Sequence, residues 1–328
     1  MPTKEELLLR KRFVKDYNLP INIVDNPFFD YYKERYDFFP KEEWDDCINT
    51  VNNKFNGNIN SWLENYSQIR DKIITTIENS EAFKSFNTCD FKQITTPIFT
   101  VGDFNIYNAS NTGKVFISID LKKANFQALH NFNDDIVLNC ESYDELIELF
   151  GGDDYLKKSK YTRQVIFGKL NPKRTIQYEK YLINSIFSEE NNHLFKYLHE
   201  NSKLITIKSD EIIFDITNGL VDKIGRDFLE MLKDEIKTNN NLDVSVKAFA
   251  LYRLVFNNYN GDTVDGYVRY FYLEDGYVTD LKQVSSIFFP QIYTHFKGLE
   301  PNDYDLYFKA ENQIAKFVHP LKFIGREG

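Results

Sequence analysis

The sequence has little of what disulfide-bonded, zinc-binding and membrane proteins depend on. Its 328 residues include three widely separated cysteines (Cys47, Cys89 and Cys140) and no C-x-x-C pair, which argues against a disulfide framework. The five histidines show no H-x-x-x-H spacing, so the usual zinc motifs are missing. The longest apolar runs have four or five residues, too few for a membrane span. We therefore expect a protein of the cytoplasm, or of the host cytoplasm if it is viral, with no membrane partner.

Proline and glycine are also scarce, at 9 and 14 residues against 29 Phe and 21 Tyr, a balance that predicts a folded chain. Basic residues are fewer than acidic ones, at 40 Lys and Arg against 49 Asp and Glu. The formal net charge is −9, whereas proteins that coat nucleic acids present a basic face. Any nucleic-acid binding must therefore depend on local basic segments. The abundance of Asn, Lys, Ile, Phe and Tyr is typical of AT-rich genomes, viral genomes among them.

Helical patterns dominate the first ninety residues. Apolar residues recur at helical spacing over Lys4 to Tyr17, Lys41 to Phe55 and Ser61 to Phe83. Beyond these, strand and helix patterns alternate, which predicts an α+β fold with an antiparallel sheet and helices on one face. We place a helical N-terminal domain at 1–87 and the α+β domain at 88–328.

Strand patterns begin near Phe91. The sequence predicts strands over Gln93 to Val101, Phe104 to Asn108, Lys114 to Asp120, Lys203 to Lys208, Glu211 to Thr217 and, with an interruption, Asn241 to Tyr272. Helices are predicted over Ser142 to Phe150, Asp154 to Phe167, Thr175 to Asn201, Gly219 to Lys237, Lys282 to Phe296 and Asp305 to Phe317.

Two of these strand patterns present carboxylates at their ends. The first ends on Asp120, and the second pair flanks Ser209-Asp210-Glu211, which predicts a tight hairpin with an acidic tip. Alternation places Asp210 and Glu211 on opposite faces. Two aspartates on separate strands are suitable ligands for the hard cations of phosphoryl transfer. The alternative is that Asp120 caps a helix and that the acidic residues at the hairpin tip are ordinary, solvated turn residues.

The densest basic segment of the chain lies between these two motifs, from Lys157 to Arg174. Helical spacing puts Lys160, Arg163 and Phe167 near one face. Cations beside an aromatic ring suit a triphosphate and a stacked base. A solvated basic helix followed by a turn is the alternative.

The three segments, in this order, resemble motifs A, B and C of template-directed polymerases, most closely the family A DNA polymerases. Lys208-Ser-Asp-Glu-Ile-Ile-Phe-Asp-Ile216 is similar to the family's hairpin motif, although Ser209 replaces the usual His. Asp120 matches the aspartate that opens the first motif. Arg163, Phe167 and Gly168 match the spacing of the fingers-helix motif, with Arg in place of Lys.

The resemblance implies a palm-like sheet and reduced fingers at about 142–202. Asp120 and Asp210 would bind two Mg²⁺ or Mn²⁺ ions, and Glu211 would lie near the primer end. Arg163 would hold the incoming triphosphate, and Phe167 would pack by the nascent base pair. Asn125 stands where the family often has a sugar-selecting Glu. The other candidate substrate-binding residues are Lys160 and Lys169.

These observations predict a metal-dependent nucleotidyltransferase that adds nucleotides from NTP or dNTP to a 3′-hydroxyl. Its partners would be a nucleic-acid primer, a template, and a protein that supplies the missing fingers or processivity surface. One alternative is a template-independent, end-adding or primer-making transferase, which the acidic charge favours. The other is a non-catalytic viral or interaction protein with the same fold.

Overall fold

A computed structural model describes residues 2–91, 105–208, 210–258, 260–273, 278–311 and 313–327. The chain divides into two compact units. The first comprises Met1–Leu63, Tyr107–Gly113 and Ala250–Gly328, and the second comprises Glu64–Ile106 and Lys114–Phe249. The fold class predicted from the sequence is confirmed, because an N-terminal helical region precedes an antiparallel sheet with further helices.

The N-terminal region contains helices α1 (Lys4–Asp16), α2 (Phe28–Arg35), α3 (Lys41–Phe55), α4 (Ile59–Asn79) and α5 (Glu81–Thr88). Helix α1 begins where it does because the Thr3 hydroxyl accepts a hydrogen bond from the Glu6 N–H while the Glu6 carboxylate accepts one from the Thr3 N–H. Helix α3 ends at Asn56, whose φ of 50° lies in the left-handed region. The predicted domain boundary at residue 87 stays a prediction.

The second unit contains β1 (Val115–Leu121), β2 (Lys203–Ile207), β3 (Glu211–Asp215) and the first part of β4 (Val244–Asn257), in the spatial order β2-β3-β1-β4. Between β1 and β2 lie α6 (Ala124–Phe132), α7 (Tyr143–Leu149), α8 (Asp154–Lys158), α9 (Lys160–Lys169), α10 (Pro172–Ser188) and α11 (His193–Asn201). Helix α12 (Arg226–Asn240) connects β3 to β4. This connectivity is that of a split βαβ arrangement, in which the first strand lies between the third and the fourth.

Strands β1 and β3 are antiparallel, with a register that runs from Phe116↔Asp215 to Asp120↔Glu211. Because alternate side chains point to opposite faces, each face of this pair is defined by its register. Phe214 packs its ring edge-on against Phe195 of α11, with centroids 5.8 Å apart, so helices cover the face to which Phe214 belongs. On the other face Phe116 stacks with Phe249 of β4 at 5.4 Å.

The first unit pairs the remainder of β4 with β5 (Thr263–Phe271) on one side and β9 (Lys322–Glu327) on the other, and β6 (Val278–Lys282) extends β5. Helix α13 (Phe289–Phe296) supplies Ile292 and Phe296 to the core of this sheet. Strands β7 (Tyr307–Ala310) and β8 (Gln313–Lys316) form a separate hairpin.

Some local predictions were wrong. The region from Asp305 to Phe317, predicted as a helix, forms the β7–β8 hairpin, and Glu311 between the strands has a φ of 48° that a helix cannot contain. Helix α12 begins only at Arg226, because Gly225 directly before it has extended backbone. Helix α2 was not predicted from the sequence. Residues 105–108 are in neither helix nor strand, and the strand predicted from Gln93 to Val101 lies outside the described residues.

None of the described helices combines the length and the apolar character that crossing a bilayer requires.

Candidate functional site

The β1–β3 pairing brings together the carboxylates that the sequence singled out. Asp120 is the direct cross-strand partner of Glu211, and the next residue, Leu121, donates its N–H to the carbonyl oxygen of Asp210 at 2.8 Å. By strand geometry the Cα atoms of Asp120 and Asp210 are therefore roughly 6 Å apart. Residues ninety positions apart in the chain thus meet at one end of two adjacent strands.

The faces on which these side chains lie follow from the register. Directly opposed residues share a face, so Asp120 and Glu211 lie together, whereas Asp210 lies in the bend directly before β3. Ser118, which is 5% exposed, donates its hydroxyl to Glu211 Oε1 at 2.7 Å and so orients that carboxylate. Lys247 precedes the stacked Phe249 by two residues on β4, which puts its side chain on the same face.

A further carboxylate, Glu179 of α10, lies near Asp210. Glu179 is 5% exposed, and burial together with the charge of Asp210 raises its pKa to about 7. Sequence reasoning missed this residue. The sequence does contain a signal for it. Glu179 precedes Leu182, Ile183 and Ile186 by three, four and seven residues, so it lies on a helix face that is otherwise apolar.

Arg163 of α9 lies half-buried over the ring of Tyr143, with its guanidinium carbon 5.9 Å from the ring centroid. The Nζ of Lys123 lies 5.3 Å from the same centroid and forms an ion pair with Asp144 at 2.6 Å. Burial lowers the pKa of the Arg163 guanidinium. In the part of the chain that the structure describes, this guanidinium has neither a hydrogen bond nor an ion pair.

Two other cations of the basic segment differ from Arg163 because they have partners within the protein. Arg174 donates to the carbonyl oxygen of Phe86 at 2.9 Å and lies 4.1 Å above the ring of Phe91, so it fastens α10 to the end of α5. Lys157 forms an ion pair with Asp154 at 2.8 Å. These two residues therefore have structural partners, while among the described residues nothing occupies the Arg163 donors that an anion would use.

The structure also places the remaining predicted substrate-binding residues. Phe167 is 1% exposed and packs against the rings of Phe126 and Tyr143, at centroid distances of 6.4 and 6.1 Å, so its ring contributes to the hydrophobic core. Its predicted contact with a base pair stays a prediction. Asn125, the second residue of α6, is half-buried. Lys160 and Lys169 are exposed at the two ends of α9.

The donor set can be compared with the needs of the predicted cation. No group of three His, Cys, Asp or Glu side chains that could by itself enclose a metal ion is found within the described residues. Mg²⁺ is usually bound by only one or two protein carboxylates, and water and substrate phosphates complete its coordination. Asp120 and Asp210, whose backbones meet at one end of β1 and β3, are two carboxylates of the kind that such coordination uses.

The candidate site therefore consists of the carboxylates at the β1–β3 strand ends and of Arg163 on α9 of the same unit, which has no hydrogen bond or ion pair within the described residues. Its oxygen ligands suit a hard cation, and its guanidinium suits a phosphate. Comparison with protein-family models, with curated proteins and with solved structures finds no match to this chain.

Proposed function

We propose that this chain is a metal-dependent nucleotidyltransferase. The observation that carries the proposal is the adjacency of Asp120 and Asp210, joined by the Leu121 N–H to Asp210 carbonyl hydrogen bond at 2.8 Å. The reaction is attack of a 3′-hydroxyl on the α-phosphorus of a nucleoside triphosphate. The new P–O bond forms as the bond to pyrophosphate breaks, and the hydroxyl proton passes to solvent.

Asp120 and Asp210 would hold the divalent cation, with Glu211 beside Asp120 on its face. Bound Mg²⁺ or Mn²⁺ supplies charge neutralisation at the reacting phosphate. The protein holds the carboxylates in position. Strand ends carry the carboxylates with little backbone freedom, and the Ser118 hydroxyl fixes the rotamer of Glu211.

The triphosphate requires cationic donors near these carboxylates. Arg163 offers a planar fork of N–H groups that matches two phosphate oxygens. Burial strengthens such an interaction because less water competes for the same donors. Lys160 and Lys169, exposed on the same helix, add charge that a nucleic-acid backbone can use.

The test is extension of a labelled primer with each nucleotide set and with Mg²⁺ or Mn²⁺, in the presence and absence of a template. Asp120→Asn and Asp210→Asn should each lower the rate at least about a hundredfold, since each substitution removes a charged cation ligand. Asp222→Asn is the matched control, because Asp222 is an exposed residue of the same unit and the chemical change is identical. Equal activity in all three variants would refute the proposal.

A template-independent transferase is the second candidate. The observation that favours it is the burial of Phe167, since packing against Phe126 and Tyr143 leaves less of its ring to contact a templated base pair. Extension in the lane without template, with little gain when a template is added, would establish it. Absence of extension by the folded, metal-supplied protein, and of any Mn²⁺ affinity, would favour the non-catalytic interpretation.

A further inference from the structure

Two cations of the second unit share one aromatic ring. The Lys123 Nζ and the Arg163 guanidinium carbon lie 5.3 and 5.9 Å from the centroid of Tyr143, which is fully buried. Lys123 has a φ of 50° and directly precedes α6, three residues after Asp120. The two positive groups are thus fixed by a rigid ring and by a short connection to the strand that carries Asp120.

The charges around this ring are unbalanced. Lys123 is paired with Asp144, and the side chains of the two are 31% and 48% exposed, so solvent reaches the pair. Arg163 also experiences the charge of Asp144 but makes no hydrogen bond to it. A half-buried guanidinium whose donors have no described protein partner has a desolvation cost that an anionic ligand would offset.

We propose that Lys123, Arg163 and the Tyr143 ring form a binding site for the polyphosphate chain of a nucleoside triphosphate. Asp144 pairs with Lys123 when the site is empty, and the bound ligand displaces Asp144 from that pair. Arg163 contacts one phosphate through its planar fork, and Lys123 contacts another as a point charge. The assignment of the ligand as a substrate rests on the proposed function, whereas binding of polyphosphate does not depend on it.

This arrangement predicts effects of opposite sign for the two members of the ion pair. Lys123→Gln removes a ligand for phosphate and weakens binding. Asp144→Asn removes the competitor for Lys123 and a repulsive charge, so it strengthens binding. If the Lys123–Asp144 pair served only to hold the fold together, both substitutions would change binding in the same direction.

The experiment is calorimetric titration of the full-length protein with inorganic triphosphate, with a chelator present and at low ionic strength. Lys123→Gln and Arg163→Gln should each weaken binding about tenfold or more, the usual loss for one charged hydrogen bond. Asp144→Asn should strengthen it about two- to tenfold, and the exposed Lys223→Gln should leave it unchanged. Circular dichroism of each variant verifies folding, and the gain expected in Asp144→Asn cannot arise from misfolding.

A nucleoside triphosphate and a short single-stranded oligonucleotide serve as competitors. Displacement of triphosphate by the nucleoside triphosphate, but not by the oligonucleotide at equal phosphate concentration, supports the proposal. Weaker binding in Asp144→Asn, no effect of Lys123→Gln, or preferential binding of the oligonucleotide would overturn it. Triphosphate binding of the expected pattern in a protein that extends no primer would refute the proposed function and leave this site intact.

Discussion

Glu179 offers the sharpest test of the architecture around the site. It is a 5% exposed carboxyl whose pKa is raised from 4.5 to about 7, first by burial and second by the charge of Asp210. We expect that Glu179→Gln, which keeps the size of the side chain and cannot ionise, stabilises the protein at alkaline pH and has little effect at acidic pH.

The sign follows from proton binding. Between about pH 4.5 and 7 the folded state retains a proton on Glu179 that the unfolded state has lost, so the free energy of unfolding falls as the pH rises through that interval. Above pH 7 the full cost of ionising the buried carboxyl is present. A rise of that size corresponds to about 3 kcal/mol. Glu179→Gln should recover most of it at about pH 8.5 and almost none at about pH 5.

The assay is urea unfolding of the wild type and Glu179→Gln at both pH values, without divalent cations. Glu200→Gln is the matched control, because Glu200 is exposed on the neighbouring helix α11 and its substitution should change nothing at either pH. Asp210→Asn should reproduce a smaller part of the gain, since its charge is the lesser cause of the pKa shift. A stability difference between Glu179→Gln and the wild type that is the same at both pH values would refute the reasoning.

Three further substitutions test the packing of the same unit, each by its change in urea midpoint. Gly152→Ala should destabilise by about 1–3 kcal/mol, because an added Cβ would lie 2.2 Å from Ile147 Cγ2; a neutral result would contradict the close approach. Tyr66→Phe should cost about 1–2 kcal/mol by removing the 2.7 Å hydrogen bond to Asp153, and an unchanged midpoint would mean that water replaces it. Glu235→Ala should cost about 1–2 kcal/mol, since this carboxylate accepts hydrogen bonds from two N–H groups of the first turn of α11; Glu230→Ala on the exposed side of α12 is its control.

The elements of the candidate site could be predicted closely from the sequence. The alternating apolar pattern of β1 and the tight hairpin of β2 and β3 lie within a residue or two of their predicted bounds, because both motifs are set by local periodicity. Helices α1 and α3 were equally predictable from their apolar residues at helical spacing. In each case the information lies within a few residues of the element itself.

Predictions that depended on the orientation of a helix were less complete. Spacing alone grouped Lys160, Arg163 and Phe167 on one face, yet Phe167 is in the core while Lys160 is exposed. Positions seven residues apart differ by only about 20° around a helix, so the difference arises along the helix axis: Lys160 is the first residue of α9, and Phe167 lies about two turns later. Which side α9 presents is decided by its packing on Phe126 and Tyr143, and that packing cannot be derived from the basic segment alone.

The register of β1 against β3 decides which carboxylates meet, and it is fixed at the end of the strands far from Asp120. There the Val115 N–H donates to the Thr217 hydroxyl at 3.0 Å, and that hydroxyl donates to Asp215 at 2.6 Å. Lys114 lies 3.3 Å from the same carboxylate. A slip of one residue would break these contacts and would turn Asp215 toward the helices that pack on Phe214. The same slip would exchange Glu211 for a neighbour opposite Asp120, so residues with no part in the chemistry determine which acidic side chains share a face.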